Sequence, residues 1–474
     1  MIRFRFLTAL VVLFAAGSYL AAAEPVHIGS RLELFVDDYL IDSMTNVTQE
    51  LHSPVEREIA LAFDQPWEGS YSGYATVFKD DGLFRMYYRG WWPHGPFGEV
   101  TCYAKSTDGI NWTRPNLGLF ESDGSAENNI VWRAAGSHNF APFKDANPAA
   151  PDSERYKAVG GGPLCAFASP DGVHWRKIGD GPIITEGWFD SLNTAFWDPV
   201  REQYVCYFRD YRGDPNEGGE AARVDNMRTI RVSTSKDFLN WTRPEGITHG
   251  HKWSKRPEWL DFGDAPPEHL YTNAITLYFR APHIYMGFPK RFVPERGVSD
   301  GVFMTSRDQI HFHRFVKAFV RPGLDQKNWM QRSNMAAWGM LQTSPEEISM
   351  YYSEHYYQPT ARMRRRTLRT DGFVSINAKY QGGELLTKPL SFEGQELVIN
   401  YSTSAVGSVQ VEIQHAAGGP IKGFAVAQCP EIFGDEIEYV VAWEGGSDLG
   451  KLAGTPVRLR FVLKDTDLYS IRFR

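Results

Sequence analysis

The sequence predicts an all-β protein, a five-bladed β-propeller followed by a C-terminal β-sandwich. The first observation is a repeat. Five times, at intervals of 63, 66, 71 and 63 residues, a strand ends in a short Asp-centred turn. The copies are Ser106-Thr107-Asp108-Gly109 with Trp112, Ser169-Pro170-Asp171-Gly172 with Trp175, Ser235-Lys236-Asp237 with Trp241, Ser306-Arg307-Asp308 with Phe312, and Thr370-Asp371-Gly372-Phe373. That period is too long for a helical solenoid unit and suits a four-stranded sheet, so each copy marks one blade. The second observation is composition: 14% aromatic residues with 14 Trp and 22 Tyr favour strands, and 43 Gly with 28 Pro supply turns. The third is the lack of any extended segment with helical periodicity.

A chain of 474 residues is long for a single core. Residues 1–23 carry two Arg, an apolar run from Phe6 to Ala16 and the small residues Ala21-Ala22-Ala23, the layout of a secretory signal peptide. No later segment holds about 18 uninterrupted apolar residues, so a secreted or periplasmic protein is expected. The propeller is assigned to residues 24–379. Residues 380–474 drop the repeat for simple strand and turn alternation, as in Glu396–Tyr401 and Val457–Leu463, and are assigned to the sandwich.

Within each blade the second strand is aromatic-rich on both faces: Phe84–Arg89, Tyr204–Arg209, Ile284–Phe288 and Ile348–Glu354. Such strands are covered on both sides, as when blades pack against neighbours. The turn Asp and Ser are expected to bond the turn backbone, and Trp112, Trp175 and Trp241 to pack between blades. Asp37 and Asp38 are read as part of an outer or closing strand. The cysteines at 102, 165, 206 and 429 lack metal-ligand spacing and are read as buried small side chains.

Strand polarity separates two ends. In an antiparallel blade the start of strand 1, the end of strand 2 and the start of strand 3 share one end, opposite the Asp turns. The long connections Trp91–Glu99, Asp210–Arg228, Thr242–Tyr271 and Pro289–Asp300 fall there, and loops of that length in compact domains carry function. Strand 1 starts supply Tyr71, His138, Asp190, Asn193, Tyr271, Asn273, Arg332 and Asn334; strand 2 ends supply Arg89, Arg209, Asp210, Lys290 and Glu354; strand 3 starts supply Glu99, Arg228 and Asp300. Trp91, Trp92, Trp188, Trp253, Trp259 and Trp329 lie in or beside these loops. Polar groups beside flat aromatic faces suit sugars.

Cleaving a glycosidic bond needs one carboxylic acid to protonate the leaving oxygen and a second carboxylate to activate water or attack carbon. Asp190, Asp300 and Glu354 are the catalytic candidates. Arg89, His138, Asn193, Arg209, Asp210, Asn273 and Asn334 are the substrate-binding candidates, the two arginines to hold a substrate carboxylate or sulfate or to neutralise the acids. The pairs His249/His251 and His311/His313 lack a nearby third ligand, so no metal and no cofactor are assigned. Without Arg3 and Arg5 the formal charge goes from −7 to −9, which argues against nucleic acid or an anionic membrane as partner. No obligate protein partner is evident.

With these features in place, the chain resembles the five-bladed propeller glycosidases of glycoside hydrolase families 32, 43 and 130. The stretches Phe189-Asp190-Ser191, Ala195–Pro199, Tyr271–Ala274 and Arg280–His283 are similar to secreted family 32-like proteins of planctomycete-type bacteria. The resemblance implies a secreted hydrolase acting on a complex polysaccharide or its oligosaccharides through Asp and Glu at the axis, and it allows a structural calcium ion there. The WMNDPNG-like and EC motifs of family 32 are absent, and Phe208–Tyr211 matches its RDP motif only in part, which speaks against a fructan. Two alternatives stand beside it: a non-catalytic glycan-binding propeller, and a sialidase-like enzyme using Arg89, Arg209 and Arg228. The Asp turns resemble a sialidase Asp-box, whose glycine sits one residue further on.

Overall fold

The structure is a computed structural model that describes residues 24–92, 98–212, 227–242 and 268–474. The expected signal segment, Trp253, Trp259, His249 and His251 lie outside the described residues. The protein is all-β: among the described residues the helices are 3-10 turns of three residues. No helix among them is long and apolar enough to cross a membrane.

Five antiparallel sheets carry the five repeats; in the first four the Asp turn follows the third strand in chain order, and in the fifth it follows Arg362–Arg369. The first joins Gly73–Asp80, Leu83–Trp91, Glu99–Ser106 and Ile130–Trp132; the second joins Ala141–Lys144, Tyr156–Gly160, Cys165–Ser169 and Arg176–Ile178. The third contains Thr194–Asp198, Gln203–Arg212 and Met227–Ser235, and the fourth Thr276–Tyr278, Ala281–Gly287, Met304–Ser306 and Phe312–Arg314. Just past Gly287 the chain enters a ribbon in which Lys290–Val293 pairs with His269–Leu270 and Val298–Gly301. In the fifth sheet Glu347–Glu354 pairs with Met335–Ala336, Leu341–Ser344 and Arg362–Arg369, and the last of these pairs with Val55–Ala62 from far upstream.

The first four Asp turns share one hydrogen-bond pattern. The Oδ1 atoms of Asp108, Asp171, Asp237 and Asp308 each accept two backbone N–H bonds at 2.7–3.0 Å, while the preceding serine hydroxyl accepts two more. The residue after Asp is left-handed: φ is 72° at Gly109 and 77° at Gly172, but also 70° at Phe238 and 82° at Gln309. A Cβ on Gly172 would stand 2.6 Å from the Tyr87 hydroxyl of the neighbouring sheet, so there glycine is required by contact as well as by φ.

Those contacts tie sheet to sheet. Tyr351 donates to Gly109 O, Tyr87 to Gly172 O at 2.8 Å, and Tyr207 to Gln309 O at 3.0 Å. Trp112 meets Tyr351 edge-on at 5.5 Å and Trp175 meets Tyr87 at 6.2 Å, the inter-sheet packing expected of them. Phe143 of the second sheet packs on Phe238 of the third at 5.7 Å, and Tyr278 of the fourth donates to buried Asp371 beyond the fifth at 2.5 Å. Cys102, Cys206 and Cys429 are buried free thiols, and Cys165 is a half-buried one.

A ten-stranded sheet draws on both ends of the chain: Val26–Gly29, Glu33–Leu34, Ile41–Thr45 and Val47–Leu51 join Val374–Ala378, Gly383–Thr387, Leu390–Phe392, Leu397–His415, Asp435–Val440 and Val457–Phe473. Ile399, Val411, Ile413, Leu459, Phe461 and Ile471 form its core. Asp37 and Asp38, expected in an outer or closing strand, instead occupy the bend between Leu34 and Ile41, where Asp37 pairs with Arg307 at 2.7 Å. The strand that closes the fifth sheet is Val55–Ala62.

Candidate functional site

The end opposite the Asp turns is laced by asparagines. Asn139 Nδ2 donates to Ser191 O at 2.8 Å, Asn273 Nδ2 to Leu192 O and Tyr207 O at 3.1 Å, and Asn334 Nδ2 to Ser299 O and Asn328 O at 3.0 Å. Asn193 donates to Phe189 O at 2.8 Å and accepts from the Arg209 N–H at 3.1 Å. Asn139 and Asn334 hold φ of 49° and 60°, a region asparagine tolerates. All four are buried. The structure therefore gives Asn193, Asn273 and Asn334, read from sequence as sugar-binding, to the backbone, where they fix how one strand start sits against the next.

Above this lacing the side chains form a closed circuit with members from every repeat. Arg89 reaches Glu99 Oε1 at 3.2 Å; Glu99 Oε2 meets His138 Nδ1 at 2.8 Å; His138 Nε2 lies 3.6 Å from Asp190 Oδ1; Asp190 Oδ2 lies 3.7 Å from Arg209 Nη1. Arg209 stands 5.4 Å from the Tyr271 ring centre and Arg332 5.7 Å from it. Arg332 Nη1 donates to the Tyr356 hydroxyl at 3.5 Å, which also accepts from Arg89 and closes the circuit. Arg89 lies 4.2 Å from the centre of the buried Tyr74 ring. Around the rim, Trp91 packs on Tyr71 at 5.1 Å, Tyr71 on Tyr357 at 5.1 Å, and Tyr211 on Trp188 at 5.5 Å, with Tyr71 and Trp188 exposed.

Charge sets the protonation of the circuit. Burial opposes protonation of His138, yet its pairing with Asp190 and Glu99 raises its pKa to about 9. Burial alone would raise Asp190, but His138, Arg209 and Arg332 hold it below the usual carboxylate range. Glu99 is lowered in the same way by His138 and Arg89. Lys290, fully buried against Tyr271 with Nζ 3.8 Å from the ring centre, is held well below the usual lysine range by burial and then by Arg332, Arg228 and Arg209. The site thus holds an ionised, half-exposed carboxylate beside a protonated imidazole.

Of the candidates read from sequence, Arg89, His138, Asp190 and Arg209 meet here. Asp300 lies elsewhere, bound by Arg291 through both oxygens at 2.8 and 2.6 Å. Glu354 is buried between Arg362 at 2.8 Å and Arg364 at 2.7 Å. Asp210, next to Arg209, points to the opposite face and pairs with Arg231 at 2.9 Å, and burial raises its pKa. Neither Asp300 nor Glu354 shares a described partner with Asp190. Glu99, Arg228, Tyr271, Lys290 and Arg332 complete the site from positions the strand-end rule already marks; Tyr74 and Tyr356 were overlooked, although Tyr356 and Tyr357 directly follow the strand end at Glu354-His355.

No group of three or more His, Cys, Asp or Glu is placed to hold a metal among the described residues. A separate hollow of about 450 Å³, lined by Asp37, Tyr39, Arg307, Asp308 and Lys388, lies at the Asp-turn end. Its arginine is already committed to Glu33 and Asp37.

No protein-family model matches the chain, and no curated protein sequence matches it. Solved structures similar to it are glycoside hydrolases and other glycan-related proteins. One described as a glycoside hydrolase has a TM-score of 0.46 at 15% identity, over 67% of this chain and 92% of its own. A GH130 family structure, described in terms of mannoside phosphorylases and hydrolases of β-1,2-mannosidic linkages in Candida mannan, has a TM-score of 0.41 at 13% identity over 70% and 95%. A Bombyx mori GH32 β-fructofuranosidase has a TM-score of 0.39 at 10% identity over 90% and 94%.

Proposed function

We propose that the chain is an exported glycoside hydrolase, a five-bladed propeller with a β-sandwich formed from both ends of the chain, acting on a complex polysaccharide or its oligosaccharides. The observation that carries this reading is the closed circuit of polar side chains, to which all five repeats contribute, beneath exposed aromatic faces. Flat rings take the C–H faces of a sugar, and the polar circuit takes its hydroxyls.

Glycosidic cleavage needs a proton donor and an ionised group that attacks carbon or activates water. Asp190, kept ionised by the surrounding cations and half open to solvent, is the base or nucleophile. His138, protonated at neutral pH and 3.6 Å from Asp190, stands closer than the roughly 5 Å or more that separates the two groups flanking a scissile glycosidic bond; it holds Asp190 ionised and in place, and Glu99 orients the ring through Nδ1. Asp300 and Glu354 are left out of this assignment because arginines neutralise each of them away from the circuit. Asp190→Asn is expected to lower kcat at least about 100-fold on any glycan the purified protein cleaves, while the glycan still binds. Unchanged turnover removes the assignment.

One observation favours a second reading, a glycan-binding module without catalysis: among the described residues no second half-exposed carboxylate faces Asp190, since the Glu99 side chain is 16% exposed and held by Arg89 and His138. A broad glycan panel that yields binding and no cleavage selects this reading.

A further inference from the structure

The cations of the circuit outnumber its anions among the described residues, and several of their buried donor atoms lack a hydrogen-bond partner there. Four basic groups stand around one ring: Lys290 at 3.8 Å, Arg228 at 5.2 Å, Arg209 at 5.4 Å and Arg332 at 5.7 Å from the centre of Tyr271. Of the circuit's carboxylates among the described residues, Glu99 is held by Arg89 and His138, and Asp190 comes only within 3.7 Å of Arg209. Among the described residues, Arg209 Nη1, Arg228 Nε, Arg332 Nε and the Tyr74 hydroxyl are buried and have no hydrogen-bond partner. Tyr74 is 1% exposed and Arg209 3%.

Unmade hydrogen bonds at buried donors are costly, and unmatched guanidinium charge costs more. A chain of formal charge −7 that keeps such a cluster at the one place where its repeats converge has built an anion site, since guanidinium forks match planar and tetrahedral oxyanions. We propose that the sugar taken at this circuit carries an oxyanion, bound by Arg209, Arg228 and Arg332 over the face of Tyr271, with the Tyr74 hydroxyl as a further donor. The proposal rests on the reading of the site as one that binds glycans, and it narrows the substrate to acidic sugars, whether carboxylated or sulfated.

Ligand-observed NMR on the full chain, with D-glucuronate, D-galactose 6-sulfate, D-glucose, D-galactose and inorganic phosphate as probes, tests it. At least one charged sugar is expected to bind ten-fold or more tighter than its neutral parent, and which one does so separates a carboxylate from a sulfate ester. The preference should shrink in high salt and fall towards unity in Arg209→Gln and Arg332→Gln. The wild-type comparison and its salt dependence stand even if those variants fold poorly. Equal response to charged and neutral sugars overturns the proposal, as does phosphate binding more tightly than either charged sugar, which would make this a site for the free ion. Charged sugars bound but never cleaved would remove the hydrolase reading and leave this one; cleavage confined to neutral glycans would do the reverse.

Discussion

His138 is the residue on which the protonation of the site turns. A rise from the ordinary histidine value of 6.5 to about 9 corresponds to at most about 3 kcal/mol, and because the ring is 34% exposed solvent screening reduces this to about 1–2 kcal/mol. The folded-state value lies above the unfolded one, so the contribution is complete below about pH 6.5 and disappears as pH rises through about 9. Urea unfolding should show His138→Ala less stable than wild type at pH 6, with the gap closing by pH 10; a gap that persists at pH 10 means packing, not charge, sets the effect. The basic groups of this site were legible in the sequence because they recur at equivalent strand ends, Arg89, Arg209 and Lys290. The carboxylates were legible only in part, Asp190 and Glu99 but not the facing of Asp210, Asp300 or Glu354, because successive side chains on a strand face opposite ways. Arg209 turns into the circuit while Asp210, one residue on, turns out to Arg231. Asp300 lies directly across from Arg291 in the ribbon register, so the pair closes on itself, and a bulged turn or a shifted register of one residue decides such a facing without any trace in local composition.

At the scale of the element, the Asp turn was legible because its chemistry is local: a serine, an aspartate two residues later, and backbone N–H groups within reach of both. What the sequence obscured was the glycine. Phe238 and Gln309 occupy the left-handed position that Gly109 and Gly172 fill elsewhere, so the hydrogen bonds to Asp hold the turn even where its residue is not the preferred one. These carboxylates are acid-sensitive. Burial opposes ionisation of Asp171, but the N–H groups of His174 and Val173, the His174 ring and the Ser169 hydroxyl lower its pKa to about 2. A depressed value stabilises above the unfolded carboxylate range near pH 4 and is lost as pH falls through about 2. Asp171 is 47% exposed, so the effect is about 1 kcal/mol after screening. Thermal unfolding should place Asp171→Asn below wild type at pH 6 and level with it near pH 2. A constant difference across that range would assign the loss to geometry alone.

For the whole molecule, the sequence repeat reads as five units and its periodicity stops at residue 380, the division drawn between them and the C-terminal strands. The pairing itself runs across the entire chain: Val55–Ala62 lies against Arg362–Arg369, and Val47–Leu51 against Val374–Ala378. Contacts between residues some 300 positions apart leave no periodic signal, and Leu34-Phe35-Val36 reads the same whether it ends a blade or enters a second sheet. Removing residues 24–62 tests how far the two parts depend on this closure. The truncation strips Ile28, Leu34, Phe35, Val36, Leu51 and Leu61, each 4% exposed or less, and at about 1.5–3 kcal/mol per buried apolar side chain the loss matches or exceeds the roughly 5–15 kcal/mol by which domains are stable. It also leaves Arg362–Arg369 as an open strand edge, a template for aggregation. The chain beginning at residue 63 should therefore be insoluble or unfold without a cooperative transition by tryptophan fluorescence. A soluble truncated protein with an unchanged urea midpoint would mean that the sheets holding the circuit close without the upstream strand, and that the N-terminal strands serve the ten-stranded sheet alone.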